Sequence, residues 1–229
     1  MKRLYLTVEG QTEAAFATSV LTPHLANFDV FLSPPRFTGL HRRRRGRIPQ
    51  GGLLNTFGHA LADIRVWLLE DRSPDARFSM MVDLYSLPTD FPGYQQGRSK
   101  STGREQAVAL QQTLAAEIGV AWLIAYLQVV VYEALVLVDP RRIATIYEVR
   151  DAVMDALCEE CNAHSTPEEI NHGQQSHPKF RIQARIPEYD ENIAGPLLAE
   201  AIGLQSLRER CPHFGEWLTR LEQLDGGGA

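Results

Sequence analysis

The stretch "LYLTVEGQTEAAF", residues 4–16, places an apolar strand directly before an amphipathic helix, with Glu9 at the junction. Residues 3–8 are apolar and rich in β-formers, whereas apolar residues recur at helical spacing over 11–25. Glu13 suits the first turn of that helix. A strand that leads at once into a helix is a building unit of parallel α/β sheets.

The same alternation continues along the chain and predicts the fold class. Further strands are predicted at 28–33, 77–87 and 121–130, with helices at 53–71 and 104–119, a helical region at 132–147 that Pro140 interrupts, and loops at 34–52 and 88–103. We therefore expect an α/β core over residues 1–149, a mostly parallel four-stranded sheet flanked by helices. Residues 150–229 are predicted to be a mainly helical extension packed on that core, apart from a polar loop around 164–192.

Composition narrows the class of protein. Hydrophobic residues make up 44% of the 229 residues, which is ample for a core and argues against disorder. The net charge of −5 argues against a surface that is basic all over. Three cysteines do not form a secreted disulfide framework. With no leader pattern and no bilayer-length apolar run, we expect a cytoplasmic protein without a membrane partner.

Carboxylates fall where parallel strands end. Glu9 follows the first strand, Asp83 the third and Glu133 the fourth, and Glu13 lies one helical turn beyond Glu9. Binding sites of open parallel sheets lie beyond the carboxyl ends of the strands, so these side chains are expected to converge. Their mutual repulsion would be relieved by a hard cation such as Mg²⁺ (or Mn²⁺). The alternative is that each acid caps a helix, and Glu133 in "YEAL" could simply begin one.

Four segments together carry a resemblance to a known family: "VEGQTE" (8–13), "MVDLYSLPTDFPG" (81–93), "YEALVLVDP" (132–140) and "IGLQSLRERCPHFGEWLTRLE" (202–222). They resemble Toprim-like proteins of unknown function, distantly similar to nucleases of the overcoming-lysogenization-defect type. The resemblance implies a Toprim-like fold and Mg²⁺-dependent phosphoryl transfer. It makes Glu9 the strand-end glutamate, Glu13 the second acid of the nuclease-type variant, and Asp83 the first aspartate of Asp-x-Asp.

The chain departs from that pattern at Tyr85, which stands at the second aspartate position. A phenol stays protonated near neutral pH and is a poor Mg²⁺ ligand. Either Glu13 and Glu133 complete the site, or metal binding is weak, or catalysis has been lost. Asp90 is a further substitute, although "PTDFPG" is more typical of a turn.

Basic residues suggest how a phosphate chain would be held. The segment "HRRRRGR" (41–47) contains Arg42, Arg43, Arg44, Arg45 and Arg47. Guanidinium groups match phosphate oxygens, which favours contact with DNA or RNA; the alternative is a solvated loop or one that docks on an acidic partner. The resemblance implies a late catalytic lysine near the metals, and Lys179 is the matching position; an ordinary exposed lysine is the alternative.

Other motifs carry less weight. Cys158 and Cys161, with His172 and His177 beyond them, could suggest zinc, but cysteines on an amphipathic helix are more often core residues. The sequence contains no Walker-type phosphate loop.

The sequence thus predicts a Mg²⁺-dependent nuclease acting on DNA or RNA. The resemblance implies that it serves as the effector partner of a separately encoded AAA- or ABC-type ATPase in antiphage defence, and a homo-oligomer is compatible with it. The alternative is a catalytically inactive Toprim-fold module that binds a partner protein or nucleic acid.

Overall fold

The structure, a computed structural model, describes residues 1–37, 56–170, 173 and 175–224. Its centre is an open sheet of six strands, and every strand pair within these residues is parallel. The strands are β1 (Lys2–Val8), β2 (Val30–Leu32), β3 (Arg36–Phe37), β4 (Ala76–Asp83), β5 (Leu123–Ile124) and β6 (Leu127–Gln128). The predicted α/β class with a mostly parallel sheet is confirmed.

The six strands occupy four positions in the sheet. Strands β2 and β3 both pair with β1, and β5 and β6 both pair with β4, around the order β2-β1-β4-β5. Pro34 and Pro35 separate β2 from β3, since proline has no N–H for the ladder. At the break between β5 and β6, the Leu127 N–H donates at 3.0 Å to the side-chain oxygen of Gln111. The predicted strand at 121–130 is therefore two short strands.

Helices surround the sheet. A first helix runs through α1 (Gln11–Phe16), a π-helical turn (Ala17–Leu21) and α2 (Thr22–Ala26). The others are α3 (Phe57–Glu70), α4 (Tyr94–Arg98), α5 (Gly103–Ile118), α6 (Glu133–Val136), α7 (Asp151–Asn162), α8 (Pro178–Gln183), α9 (Glu191–Ile202), α10 (Leu204–Arg210) and α11 (Pro212–Glu222), with 3-10 turns at Pro140–Thr145 and Pro167–Glu169. None of the helices in the described part of the chain is long and apolar enough to span a bilayer.

Two predicted loops contain short helices that the sequence pattern did not reveal. The segment 88–103 holds α4, and the segment 164–192 holds α8. Helices of five and six residues are too short to show a period of 3.6, and glycine and proline residues occur close to both. Gly93, with φ of 72°, turns the chain into α4.

The C-terminal helices pack directly on the sheet and on α1, and they share one hydrophobic cluster with β1. The indole N–H of Trp217 in α11 donates to Ser79 Oγ in β4 at 2.9 Å. Helix α9 approaches α1 closely at Gly195, where an added Cβ would lie 2.9 Å from Thr12 Cγ2 and 3.0 Å from Tyr132 Cε1. A domain boundary at residue 149 stays a prediction.

Gly195→Ala is expected to lower the free energy of unfolding by about 1–3 kcal/mol, because the methyl group overpacks the α1–α9 contact. Helix propensity alone would predict the opposite sign. Gly58→Ala in α3 is the matched control, since nothing lies within 4 Å of its added Cβ. Urea denaturation of both variants tests this, and equal effects of the two substitutions would contradict it.

Candidate functional site

Strand register brings Glu9 and Asp83 together. In the parallel pair of β1 and β4, Val8 lies opposite Met81, so both strands end at the same edge of the sheet. The backbone N–H of Asp83 donates to Glu9 Oε2 at 3.1 Å. The Ser86 hydroxyl lies 2.8 and 2.9 Å from the two carboxylate oxygens of Glu9. Glu9 is thus held across the ends of the two central strands.

Glu133 reaches the same edge from the other side of β4. The last residue of β6, Gln128, pairs with Asp83, and Glu133 then opens α6 with only 2% of its surface exposed. Between Gln128 and Glu133, Val130 adopts a φ of 66°. A β-branched residue rarely adopts a positive φ, and this backbone strain costs on the order of 1–3 kcal/mol. Its carbonyl accepts the Tyr85 N–H at 2.9 Å. Strain of this kind concentrates at functional sites.

The edge of the sheet opens into a cavity of ≈ 750 Å³. Five of the residues that the sequence and the resemblance proposed for metal or phosphate line it: Glu9, Glu13, Asp83, Glu133 and Lys179. They come from the β1–α1 junction, the end of β4, the start of α6 and helix α8. The cavity therefore lies where parallel sheets usually bind their ligands.

Lys179 lines this cavity and forms an ion pair with Glu191, the first residue of α9. Both side chains are about one-third exposed, at 32% and 34%. Burial opposes the charged ammonium, but the bond to Glu191 and the nearby carboxylates outweigh burial and raise the pKa of Lys179. The lysine is thus charged and held at the cavity wall.

Two carboxyl oxygens in the cavity are buried without a hydrogen-bond partner, Asp83 Oδ1 and Glu133 Oε1. Such groups are costly unless a ligand satisfies them. Within the described residues, no three histidine, cysteine or acidic side chains are arranged to hold a metal ion as they stand. Other bonds occupy the remaining acids: Glu13 Oε2 accepts the Gly10 N–H at 2.8 Å, and Glu9 binds the end of β4. Cation binding would require some of the acids to reorient.

Burial and mutual repulsion raise the pKa values of three of the acids, Asp83, Glu13 and Glu133. Burial, followed by the charges of three neighbouring glutamates, raises the pKa of Asp83 well above its usual range. Burial also raises the pKa of Glu13 to about 7. Burial and then the charge of Glu191 raise the pKa of Glu133 to about 8. The metal-free cavity therefore carries less negative charge near neutral pH than its composition indicates.

The metal-free protein is expected to lose stability as the pH rises from about 5 to about 8, by roughly 4–8 kcal/mol. Folded-state pKa values of about 7 for Glu13 and about 8 for Glu133 exceed the unfolded value near 4.3, so the folded state binds more protons in this window. The stabilisation is complete below the unfolded pKa and is lost as the pH passes the folded values. Urea denaturation in EDTA measures it, and the double variant Glu13→Gln, Glu133→Gln should lose less stability over the same pH range. A wild-type stability that rises toward pH 8 would contradict the prediction.

Asp90 does not join the other acids. Its carboxylate accepts the Phe57 N–H at 2.7 Å and the Gly58 N–H at 3.2 Å, so it caps helix α3. It does not line the cavity, and its interpretation as a substitute ligand is wrong. The arginines of segment 41–47 lie outside the described residues.

The cysteines are separate from this cavity. Cys158 and Cys161 lie on α7, and Cys161 is buried in the main hydrophobic cluster. His177 lines the cavity instead, and His172 lies outside the described residues. The interpretation of Cys161 as a core residue fits this packing.

Sequence reasoning missed several residues of the cavity. Glu191 contacts Lys179 and Glu133, and the Ser86 hydroxyl contacts Glu9. Each of these contacts joins residues that are far apart in the sequence. Their roles depend on how α8 and α9 pack against the sheet, which no local pattern encodes.

The matching family model covers residues 8–222, from the end of β1 to the end of α11, and its description is domain of unknown function, DUF4276. The chain therefore belongs to this family. Comparison with curated proteins and with solved structures gave no match.

Proposed function

We propose that this DUF4276 chain is a Mg²⁺-dependent (or Mn²⁺-dependent) nuclease that hydrolyses phosphodiester bonds of DNA or RNA. One observation carries the proposal: five carboxyl groups and one lysine from distant parts of the chain line a single cavity at the carboxyl edge of a parallel sheet. Acids and a cation gathered in this way suit phosphoryl transfer, in which positioning and charge stabilisation dominate.

The residues of the cavity fit a hard divalent cation. Asp83 and Glu133 each present a buried oxygen without a partner, and burial, followed by repulsion from neighbouring glutamates, raises the pKa of Asp83. Carboxylate oxygens are the ligands that Mg²⁺ prefers. Glu9, Glu13, Asp83 and Glu133 would hold the ion. When bound, such an ion polarises a phosphoryl oxygen and lowers the pKa of water.

Other side chains of the cavity would neutralise charge on the substrate and orient the metal ligands. Lys179, exchanging its bond with Glu191 for one with the substrate, would neutralise charge that develops on the scissile phosphate. The Asp83 N–H and the Ser86 hydroxyl would fix the orientation of Glu9, as outer partners of metal ligands commonly do.

A non-catalytic interaction module is the second candidate function. Tyr85 stands where the Asp-x-Asp pattern has its second acid, and the described residues include no ready-made group of three metal ligands. In that case the cavity would be a remnant, and the basic segment 41–47 would dock a partner protein or nucleic acid. Metal binding separates the two candidates.

The biological setting is proposed from the sequence resemblance alone. It makes the chain a cytoplasmic effector that works with a separately encoded AAA- or ABC-type ATPase in antiphage defence. Fold-level analogy of this kind does not determine activity, so the assay of the isolated chain comes first.

The proposal is tested with single-stranded and duplex DNA and RNA of one sequence, in Mg²⁺, Mn²⁺ or EDTA. We expect shortened products with either metal and none in EDTA. A protein that neither cleaves any substrate nor binds Mn²⁺ would contradict the proposal and favour the interaction module.

A further inference from the structure

Three neighbouring aromatic rings, Tyr85, His177 and Phe180, line the same cavity beside the carboxylates, and Tyr132 lines it as well. The Tyr85 and His177 ring centroids are 5.1 Å apart with planes at 37°. The His177 and Phe180 centroids are 6.3 Å apart with planes at 64°. We call these three rings the aromatic ledge.

The backbone around the ledge is fixed. The Arg98 guanidinium donates to the carbonyl oxygens of Leu84 at 2.7 Å and Tyr85 at 3.3 Å, which holds the turn after β4. His177 Nδ1 accepts the Phe180 N–H at 3.3 Å and so caps helix α8. The rings are therefore positioned before any ligand arrives.

The ledge nevertheless leaves apolar surface in water. Tyr85 is 37% exposed and Phe180 is 39% exposed. Lys179 lies between His177 and Phe180 in the chain, so one turn of α8 supplies both a cation and an aromatic ring to the cavity. A ligand that carries a phosphate and a flat ring matches this combination.

We propose that the aromatic ledge stacks an unpaired base of the nucleotide next to the phosphate in the cavity, so that the substrate is single-stranded or frayed nucleic acid. The inference rests on the proposed nuclease function and names its substrate class. Bases inside a duplex are covered by their neighbours, whereas unpaired bases offer their faces to aromatic side chains. Stacking of this kind accepts any base, since every base has a π-face.

The inference also assigns a role to Tyr85. The ring stands where the resemblance leads one to expect a second metal-binding aspartate, and it contacts His177 at the cavity wall. At this position the chain has a stacking group in place of a ligand. Metal coordination would then depend on the remaining acids, Glu13 and Glu133 among them.

The test is fluorescence anisotropy with three labelled probes: a single-stranded oligonucleotide, the same strand with abasic sites, and the blunt duplex. Ca²⁺ replaces Mg²⁺, because it takes oxygen ligands in more flexible geometry. We expect the intact single strand to bind about tenfold more tightly than either other probe. Tyr85→Ala and Phe180→Ala should each weaken its binding about tenfold, whereas Tyr85→Phe should retain it. Trp122→Ala, which removes a ring that is 42% exposed and does not line the cavity, should bind like the wild type.

Three results would overturn the inference: no binding of the single strand, equal binding of intact and abasic strands, or equal affinity of Tyr85→Ala and Tyr85→Phe. Mn²⁺ calorimetry on the same preparations distinguishes failure of the aromatic-ledge inference from failure of the nuclease proposal. Mn²⁺ binding without base-dependent affinity would contradict only the role of the aromatic ledge. Base-dependent affinity without Mn²⁺ binding would contradict only the proposal of a metal-dependent nuclease.

Discussion

Asp83→Asn is expected to lower metal-dependent cleavage by about 10³-fold or more while leaving the fold intact. Asp83 ends the central strand β4, and its buried Oδ1 has no partner within the protein. The amide has the same shape but supplies no negative charge to a cation. It also removes the repulsion with neighbouring glutamates, so the metal-free variant should unfold at the same temperature as the wild type or higher at pH 8.

Asp90→Asn is the matched control for this substitution. It makes the same chemical change seven residues away, at the cap of α3 and outside the cavity, and asparagine caps helices well. Initial rates with Mg²⁺ or Mn²⁺ and melting curves in EDTA measure both effects. An Asp83→Asn enzyme that cleaves at the wild-type rate would remove Asp83 from the mechanism.

Lys179→Ala is expected to lower the cleavage rate by about 10²- to 10³-fold and to leave Mn²⁺ binding intact. The ammonium lies among carboxylates and pairs with Glu191, so its removal takes positive charge away from the cavity and does not weaken attraction for a cation. In the proposed function its contribution is to the phosphate, where charge develops in the transition state. This separation of rate from metal affinity distinguishes Lys179 from the acids.

Single-turnover rates and Mn²⁺ titrations of the same preparation measure the separation. Lys100→Ala, at an exposed position that does not line the cavity, serves as the control. Parallel loss of metal binding and activity in Lys179→Ala would show that the lysine holds the site together. Unchanged activity would make it an ordinary surface lysine.

Local pattern predicted the part of the site that lies at strand ends. Strand β1 and strand β4 are largely apolar and rich in β-forming residues, so the positions of Glu9 and Asp83 could be assigned before the structure. Because parallel strands end at the same edge of a sheet, Glu9 and Asp83 could then be predicted to lie close together. The breaks in the outer strands were harder to predict, since the gap before Leu127 depends on a side chain from α5.

Tertiary packing decided the rest of the site. Lys179 was assigned only by resemblance, and its partner Glu191 was not identified, because α8 and α9 reach the cavity through long-range contacts. The close approach of α9 at Gly195 is one of these contacts. The raised pKa of Glu133 likewise follows from burial, which composition and spacing do not reveal.

A calorimetric titration of Mn²⁺ into the metal-free protein tests the central claim most directly, since it needs neither substrate nor partner. The wild type is compared with Glu133→Gln in the cavity and with Glu168→Gln, a buried carboxylate that caps α11 outside it. We predict that the wild type and Glu168→Gln bind Mn²⁺ alike and that Glu133→Gln binds it at least tenfold more weakly, on the order expected for loss of a metal-site group. No binding by the wild type, or equal binding by all three proteins, would contradict the assignment of the cavity as a metal site.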